Sequence, residues 1–169
     1  VKNKTKPIFQ AIGLVEGRLS KVKGSPHLKL SDGVKLKLTG IAPKLSIWLL
    51  TDDNLASTAI PTQWLVYPNT GGSFYLVSIN PKPSDLQPGQ FTICGTFAAE
   101  TSSVFVGRNS SDRKGFSFIQ IENLPEGLHD RQPISLLAEM KQGKLFFVKK
   151  IAPPSFMFAS NRGIGKLAS

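Results

Sequence analysis

Phe9-Gln-Ala-Ile-Gly13 and Phe91-Thr-Ile-Cys-Gly95 share one pattern: an aromatic residue, then an apolar one, then glycine four places on, each inside a long apolar stretch. A glycine there lets a strand bend sharply, as the first strand of a small closed barrel must. The most proline-rich connector, Asn80-Pro-Lys-Pro-Ser-Asp-Leu-Gln-Pro-Gly89, divides the 169 residues almost in half, so each pattern opens one half. About 80 residues with about five strands apiece is the size of an OB-fold, a five-stranded barrel. The expected fold is all-β, with tandem small OB-like barrels. Residues 1–85 form a basic OB-like module, 86–155 a second OB-like module with aromatic strands, and 156–169 a flexible C-terminal tail. A single larger β-sandwich or barrel, with the repeated glycine a coincidence, is the alternative.

Working outward, alternating apolar stretches predict strands over Ile8 to Lys21, Leu28 to Leu30, Val34 to Thr39, Ser46 to Leu50, Trp64 to Tyr67 and Phe74 to Ile79. In the second half they fall at Gln90 to Ala98, Ser103 to Arg108, Phe116 to Ile121, Ile134 to Met140 and Lys144 to Ile151. Asn69-Thr-Gly-Gly72, Gln87-Pro-Gly89, Leu124-Pro-Glu-Gly127 and Gln142-Gly143 supply turn chemistry. Asp52 to Ala59 is the one expected helix, with aspartate as N-cap and Pro61 beyond its end. Trp48, Trp64, Tyr67 and Tyr75 are assigned to the core.

The chain carries 21 Lys and Arg against 11 Asp and Glu, a net charge of +10. Ten of those cations and only two carboxylates (Glu16, Asp32) lie in residues 1–44, so +8 of the excess belongs to that segment. Within it, His27-Leu-Lys-Leu-Ser-Asp-Gly-Val-Lys-Leu-Lys-Leu38 alternates with period two on both sides of an Asp-Gly turn, a strong hairpin signal. A two-residue loop would oppose Leu30 to Lys35 and mix the faces. A three-residue loop, Ser31-Asp32-Gly33 with Gly33 in the left-handed region, pairs Leu30 with Val34, Lys29 with Lys35 and Leu28 with Leu36, and sorts them. Its cost is Lys29 directly opposite Lys35 with Lys37 nearby, which an anionic partner would relieve.

Ser103-Val-Phe-Val-Gly-Arg-Asn109 and Arg113-Lys-Gly-Phe-Ser-Phe-Ile-Gln-Ile121 form the most informative stretch. On an alternating strand Lys114, Phe116, Phe118 and Gln120 share one face, and Ser117, Ile119 and Ile121 the other. With the aliphatic face buried, two phenylalanines face water, where rings stack on unpaired bases while lysine meets phosphate. In the opposite orientation Phe116 and Phe118 are core, and the Lys-Gly step is only a turn. In Lys144-Leu-Phe-Phe-Val-Lys-Lys150 the same alternation exposes one phenylalanine beside lysine, or buries both.

Lys114-Gly-Phe-Ser-Phe-Ile-Gln-Ile121 resembles the longer ribonucleoprotein consensus of RNA-recognition and cold-shock domains, with Ser117 in the Gly/Ala slot and Ile121 in the final aromatic one. Val104-Phe-Val-Gly107 resembles the shorter companion motif. Only the loop Asn109 to Gly115 separates the two, where RNA-recognition domains place a helix and a strand, and cold-shock domains reverse the order. The resemblance implies a stacking surface and not a fold. Pro7-Ile-Phe-Gln-Ala-Ile-Gly-Leu-Val-Glu-Gly17, Trp64-Leu-Val-Tyr-Pro68, Phe74-Tyr-Leu-Val-Ser78 and Gly143-Lys-Leu-Phe-Phe-Val148 resemble, in order, segments of an uncharacterised β-rich group of cyanobacterial proteins with tandem OB-like modules.

Other chemistries find little support. There is no phosphate-cradling Gly-x-x-x-x-Gly-Lys, nucleophile elbow or His-Glu-x-x-His. His27 and His129 are too far apart to suggest a metal site, and Cys94, the only cysteine, has no neighbouring cation to activate it. No apolar run reaches the roughly 20 residues of a membrane helix. The expectation is a cytoplasmic, non-catalytic protein, with neither metal nor cofactor and with no membrane partner, that binds single-stranded nucleic acid, RNA in preference to DNA. Arg18, Lys21, Lys23, Lys29, Lys35, Lys37 and Lys114 would hold phosphates, and Phe105, Phe116 and Phe118 would stack on bases. The alternative is a scaffold or subunit of a larger protein or ribonucleoprotein complex, docking an acidic partner through the basic face.

Overall fold

In the computed structural model, residues 10–22, 25–50, 61–81, 86–110 and 113–152 are described. Their apolar alternation is realised as β1 (Gln10–Val22), β2 (Ser25–Leu30), β3 (Lys35–Ile41), β4 (Thr62–Pro68), β5 (Phe74–Ile79), β6 (Gln90–Ala98), β7 (Ser103–Ser110), β8 (Arg113–Glu122), β9 (Pro133–Lys141) and β10 (Lys144–Lys150), with one short helix, α1 (Pro43–Leu49). β1, β2, β3, β5 and β4 close a mixed barrel, antiparallel except for the β3–β5 pair. The other five strands lie outside it in the order β6-β7-β8-β10-β9, with β9 also paired to β6 and β8–β10 parallel. All-β is therefore the observed class.

The two repeated words meet each other. Gln10, Ala11, Ile12 and Gly13 pair with Cys94, Ile93, Thr92 and Phe91 in turn. At the repeat's offset (9 to 91, 13 to 95) Ala11 and Ile93 are equivalent positions, so the antiparallel pairing is self-complementary about them. That is the signature of a local two-fold axis through the junction. Its core is shared: Trp64, Val66, Phe74 and Leu76 of the barrel and Phe91, Ile93, Val104, Ile119 and Leu136 outside it belong to one buried cluster. The Phe74 and Phe91 rings, 6.1 Å apart, bridge the two strand sets.

The two repeated glycines meet different surroundings. β1 changes partner at Gly17, which opposes Thr62 of β4 on one edge and Leu30 of β2 on the other. A Cβ there would stand 2.7 Å from the Lys29 carbonyl oxygen. The Trp64 indole N–H donates to the Gly17 carbonyl at 3.0 Å, tying this change of partner to the barrel interior. β6 makes the equivalent change beside Gly95, whose missing side chain admits the Phe105 carbonyl. Gly13 instead leaves room for the Phe91 ring, which a Cβ would overlap. Its role is close packing across the junction rather than bending.

Two segments differ from the sequence reading. Ser46 to Leu50 is not a strand: Pro43 sits in the first helical turn and α1 runs on to Leu49, burying Leu45 and Leu49 four residues apart. Trp48 consequently points away from the core and is 38% exposed. Tyr67 and Tyr75 are half-buried, stacked on each other at 6.3 Å. In β10 a register shift at Val148 breaks the alternation, so Phe146 and Phe147 are both half-buried and neither is exposed. The expected helix at Asp52 to Ala59 and the tail at 156–169 lie outside the described residues.

Candidate nucleic-acid interface

The β2–β3 hairpin has the register its alternation requires. His27, Leu28 and Lys29 oppose Lys37, Leu36 and Lys35. Gly33 takes φ 88°, and the Asp32 carboxylate accepts from the Val34 N–H at 3.0 Å, which fixes the three-residue loop. Leu28 and Leu36 are thereby buried and Lys29, Lys35 and Lys37 exposed. β1 adds a residue that the hairpin alone does not reveal: Arg18 opposes Lys29 on the other edge of β2. Arg18, Lys29 and Lys35 thus form a row of three cations across three strands. In the next rung Ser20 shares a 2.9 Å hydrogen bond with the His27 ring, and Lys37 lies opposite. Among the described residues the one ion pair joins Asp130 to Arg131, so no described carboxylate lies within ion-pair distance of the row. Side by side in a sheet, like charges are destabilising and stay so until an anion lies across them.

β7 and β8 pair along their whole length, with Phe105 opposite Phe118 and Gly107 opposite Phe116. Val104, Val106, Ser117, Ile119 and Ile121 face the core and are buried, so the phenylalanine face is the outer one. Phe116 is 62% exposed, while Phe105 and Phe118 are half-buried. The three rings form one cluster: Phe105 lies against Phe116 at 5.5 Å and 28°, and Phe118 stands edge-on to both at 5.3 and 5.6 Å. Gly107 opposes Phe116, and the Phe105 ring lies beside it, its Cε1 at an ordinary contact distance of 3.8 Å from where a Cβ would stand.

The basic row and the aromatic cluster lie on separate strand sets, and among the described residues no strand pairing or ring–cation contact joins them. Two turns link their neighbourhoods reciprocally. The β4–β5 turn reaches β8, where the Phe118 N–H donates to Thr70 Oγ1 at 2.9 Å and the Ser117 hydroxyl to Asn69 Oδ1 at 3.5 Å. The β9–β10 turn reaches the basic hairpin, where a Cβ on Gly143 would lie 3.1 Å from Val34 Cγ1. Lys141 and Lys144, paired across that turn and both exposed, thereby flank the hairpin tip. Sequence reasoning missed Thr70, Lys141 and Lys144, because contacts across the junction leave no local pattern. Of the remaining expected residues, Lys21 pairs through its backbone with Pro26 and Lys114 with Asn109. The side chains of Lys21 and Lys114, and Lys23 altogether, lie outside the described residues.

Among the described residues no cluster of His, Cys, Asp or Glu could hold a metal ion. Cys94 is buried, and burial pushes its thiol up, the Ser135 hydrogen bond opposing in part. A raised thiol is a poor nucleophile. The arrangement offers cations and aromatic faces, the two things a polyanion with exposed bases engages. No family model, characterised protein or solved structure matches the chain.

Proposed function

We propose that this chain is a non-catalytic protein that binds single-stranded nucleic acid, RNA in preference to DNA, on two OB-like modules in tandem. The order β1-β2-β3-β5-β4 with a parallel β3–β5 pair and a helix between β3 and β4 supports the first module. The order β6-β7-β8-β10-β9, with β9 returning to β6 and a parallel β8–β10 pair, supports the second. The observation that carries the function is the phenylalanine cluster on the outer face of β7 and β8, with Phe116 more than half exposed. A ring in water loses the burial that would otherwise be worth about 2 kcal/mol, which a stacked base restores. The row Arg18, Lys29 and Lys35 supplies phosphate contacts and makes binding salt-dependent.

Fluorescence anisotropy with labelled oligouridylate and oligothymidylate of about 12 nucleotides tests this. The expected result is binding at low salt that weakens steeply as salt rises, with tighter binding of the RNA. Phe116→Ala with Phe118→Ala should lower affinity about 5- to 150-fold, the worth of one stacked base. Absence of binding at low salt, or indifference to these substitutions, refutes the proposal. Co-purification with an acidic protein and no affinity for either oligomer would establish the scaffold reading instead.

A further inference from the structure

Beyond the phenylalanines, the same face of β8 runs on through Gln120 and Glu122 into a cleft of about 410 Å³. It is lined by Ile121, by Phe97 and Ser102, and by the loop from Asn123 to Leu128. Its walls are fixed. Leu124 and Leu128 pack on the core, while Asn123 (φ 60°) and Gly127 (φ 81°) turn the loop over. Phe97 exchanges backbone hydrogen bonds with Gln132 and Arg131 at 2.8 and 2.7 Å, and the Asp130 carboxylate accepts from Ala99 N–H at 3.0 Å.

We infer that this cleft is a base-binding subsite, taking a nucleobase two or three nucleotides along from the one stacked on Phe116 and favouring bases that carry an exocyclic amine. The inference rests on the single-strand reading above. Successive residues on one strand face are about 7 Å apart, close to the phosphate spacing of an extended single strand. One strand along β8 therefore brings the second or third base beyond the one on Phe116 to Gln120 and Glu122, after passing the rings. Phe97 offers an apolar wall, and Gln120 and Asn123 offer amides to a base edge. The charged residues lining the cleft are Glu122 and Glu126, with no lysine or arginine, so it repels phosphate and admits the base. A carboxylate accepts from the cytosine N4 amine, whereas uracil presents a carbonyl oxygen at that position and is repelled.

The test compares oligocytidylate with oligouridylate, about 12 nucleotides each, on the full chain by anisotropy at one salt concentration. Wild-type protein is expected to bind oligocytidylate about five-fold or more tightly than oligouridylate. Gln120→Ala with Glu122→Ala should abolish the preference, oligouridylate holding or gaining as the repelling carboxylate goes, until the two oligomers bind equally. Equal wild-type affinities, a preference that survives the double substitution, or an equal fall on both oligomers overturns the cleft assignment while single-strand binding stands. No binding to either oligomer overturns both.

Discussion

Replacing Lys29 with glutamate is expected to stabilise the fold and weaken binding together. Lys29 is the middle cation of the Arg18–Lys29–Lys35 row, directly opposed by one cation on each neighbouring strand. The substitution removes two like-charge pairs and creates two opposite-charge pairs. Cross-strand pairs of this kind are worth about 0.2–1 kcal/mol, and exposed ones fall toward the lower end. The net gain should be about 1 kcal/mol at low salt, which for a chain of this length raises the melting midpoint by about 2–4 °C. It should fade as salt shortens the Debye length below about 5 Å. Binding responds oppositely: each phosphate that the protein no longer neutralises flattens the log-affinity against log-salt slope by about 0.7 for a single strand. Thermal melts by circular dichroism at low and high salt, with anisotropy titrations on the same samples, read both quantities. An unchanged or lower melting midpoint at low salt refutes the uncompensated row. A higher midpoint with unaltered binding keeps the row and refutes its role in holding phosphate.

Three further substitutions and one labelling experiment probe the packing. Gly13→Ala should cost about 1–3 kcal/mol, because its methyl overlaps a Phe91 ring that is fully buried and cannot retreat. Gly107→Ala, with its nearest neighbour at 3.8 Å, should melt no lower than wild type, and equal losses in the two would contradict the packing described. Among the described residues Ser78 Oγ is buried without a hydrogen-bond partner, so Ser78→Ala should be more stable by about 1 kcal/mol in denaturant titration, and a clear loss would show that the hydroxyl is satisfied. Cys94 should label with maleimide at neutral pH only as fast as the protein unfolds, and immediate labelling would refute its burial. Because the folded thiol keeps its proton beyond the ordinary value of about 8.5, its contribution to stability is full below that pH and is lost as pH rises through the folded value.

The legible parts of this fold were those encoded within a few residues. The Asp32-Gly33 turn and its flanking leucines dictate the β2–β3 register, because only one loop length sorts apolar from charged side chains. The alternation of Ser117, Ile119 and Ile121 against Phe116 and Phe118 left two orientations open, and a shared core beneath β7 and β8 selected between them. The helix was hidden because Ile47 and Trp48 favour strands, and two turns are too few for a helical period to stand out. That β1 passes from β4 to β2 at Gly17 and not at Gly13 is a tertiary fact with no trace in the nearby sequence. The cleft is likewise assembled from Phe97, Ser102 and a loop some twenty residues later in the chain.

The self-complementary pairing of β1 with β6 bears on the direction of a bound chain. A nucleic-acid strand has distinct 5′ and 3′ ends, and a surface that binds it in one direction binds it in the reverse direction once turned through 180°. Arg18, Lys29 and Lys35 lie on β1 to β3 and the phenylalanine cluster on β7 and β8, strands that hold like places in the orders β1-β2-β3-β5-β4 and β6-β7-β8-β10-β9, which meet through that antiparallel pairing. On the proposed single-strand reading, a ligand that engages both faces in the same local sense would double back between them, as the two arms of a stem-loop do, rather than pass straight across.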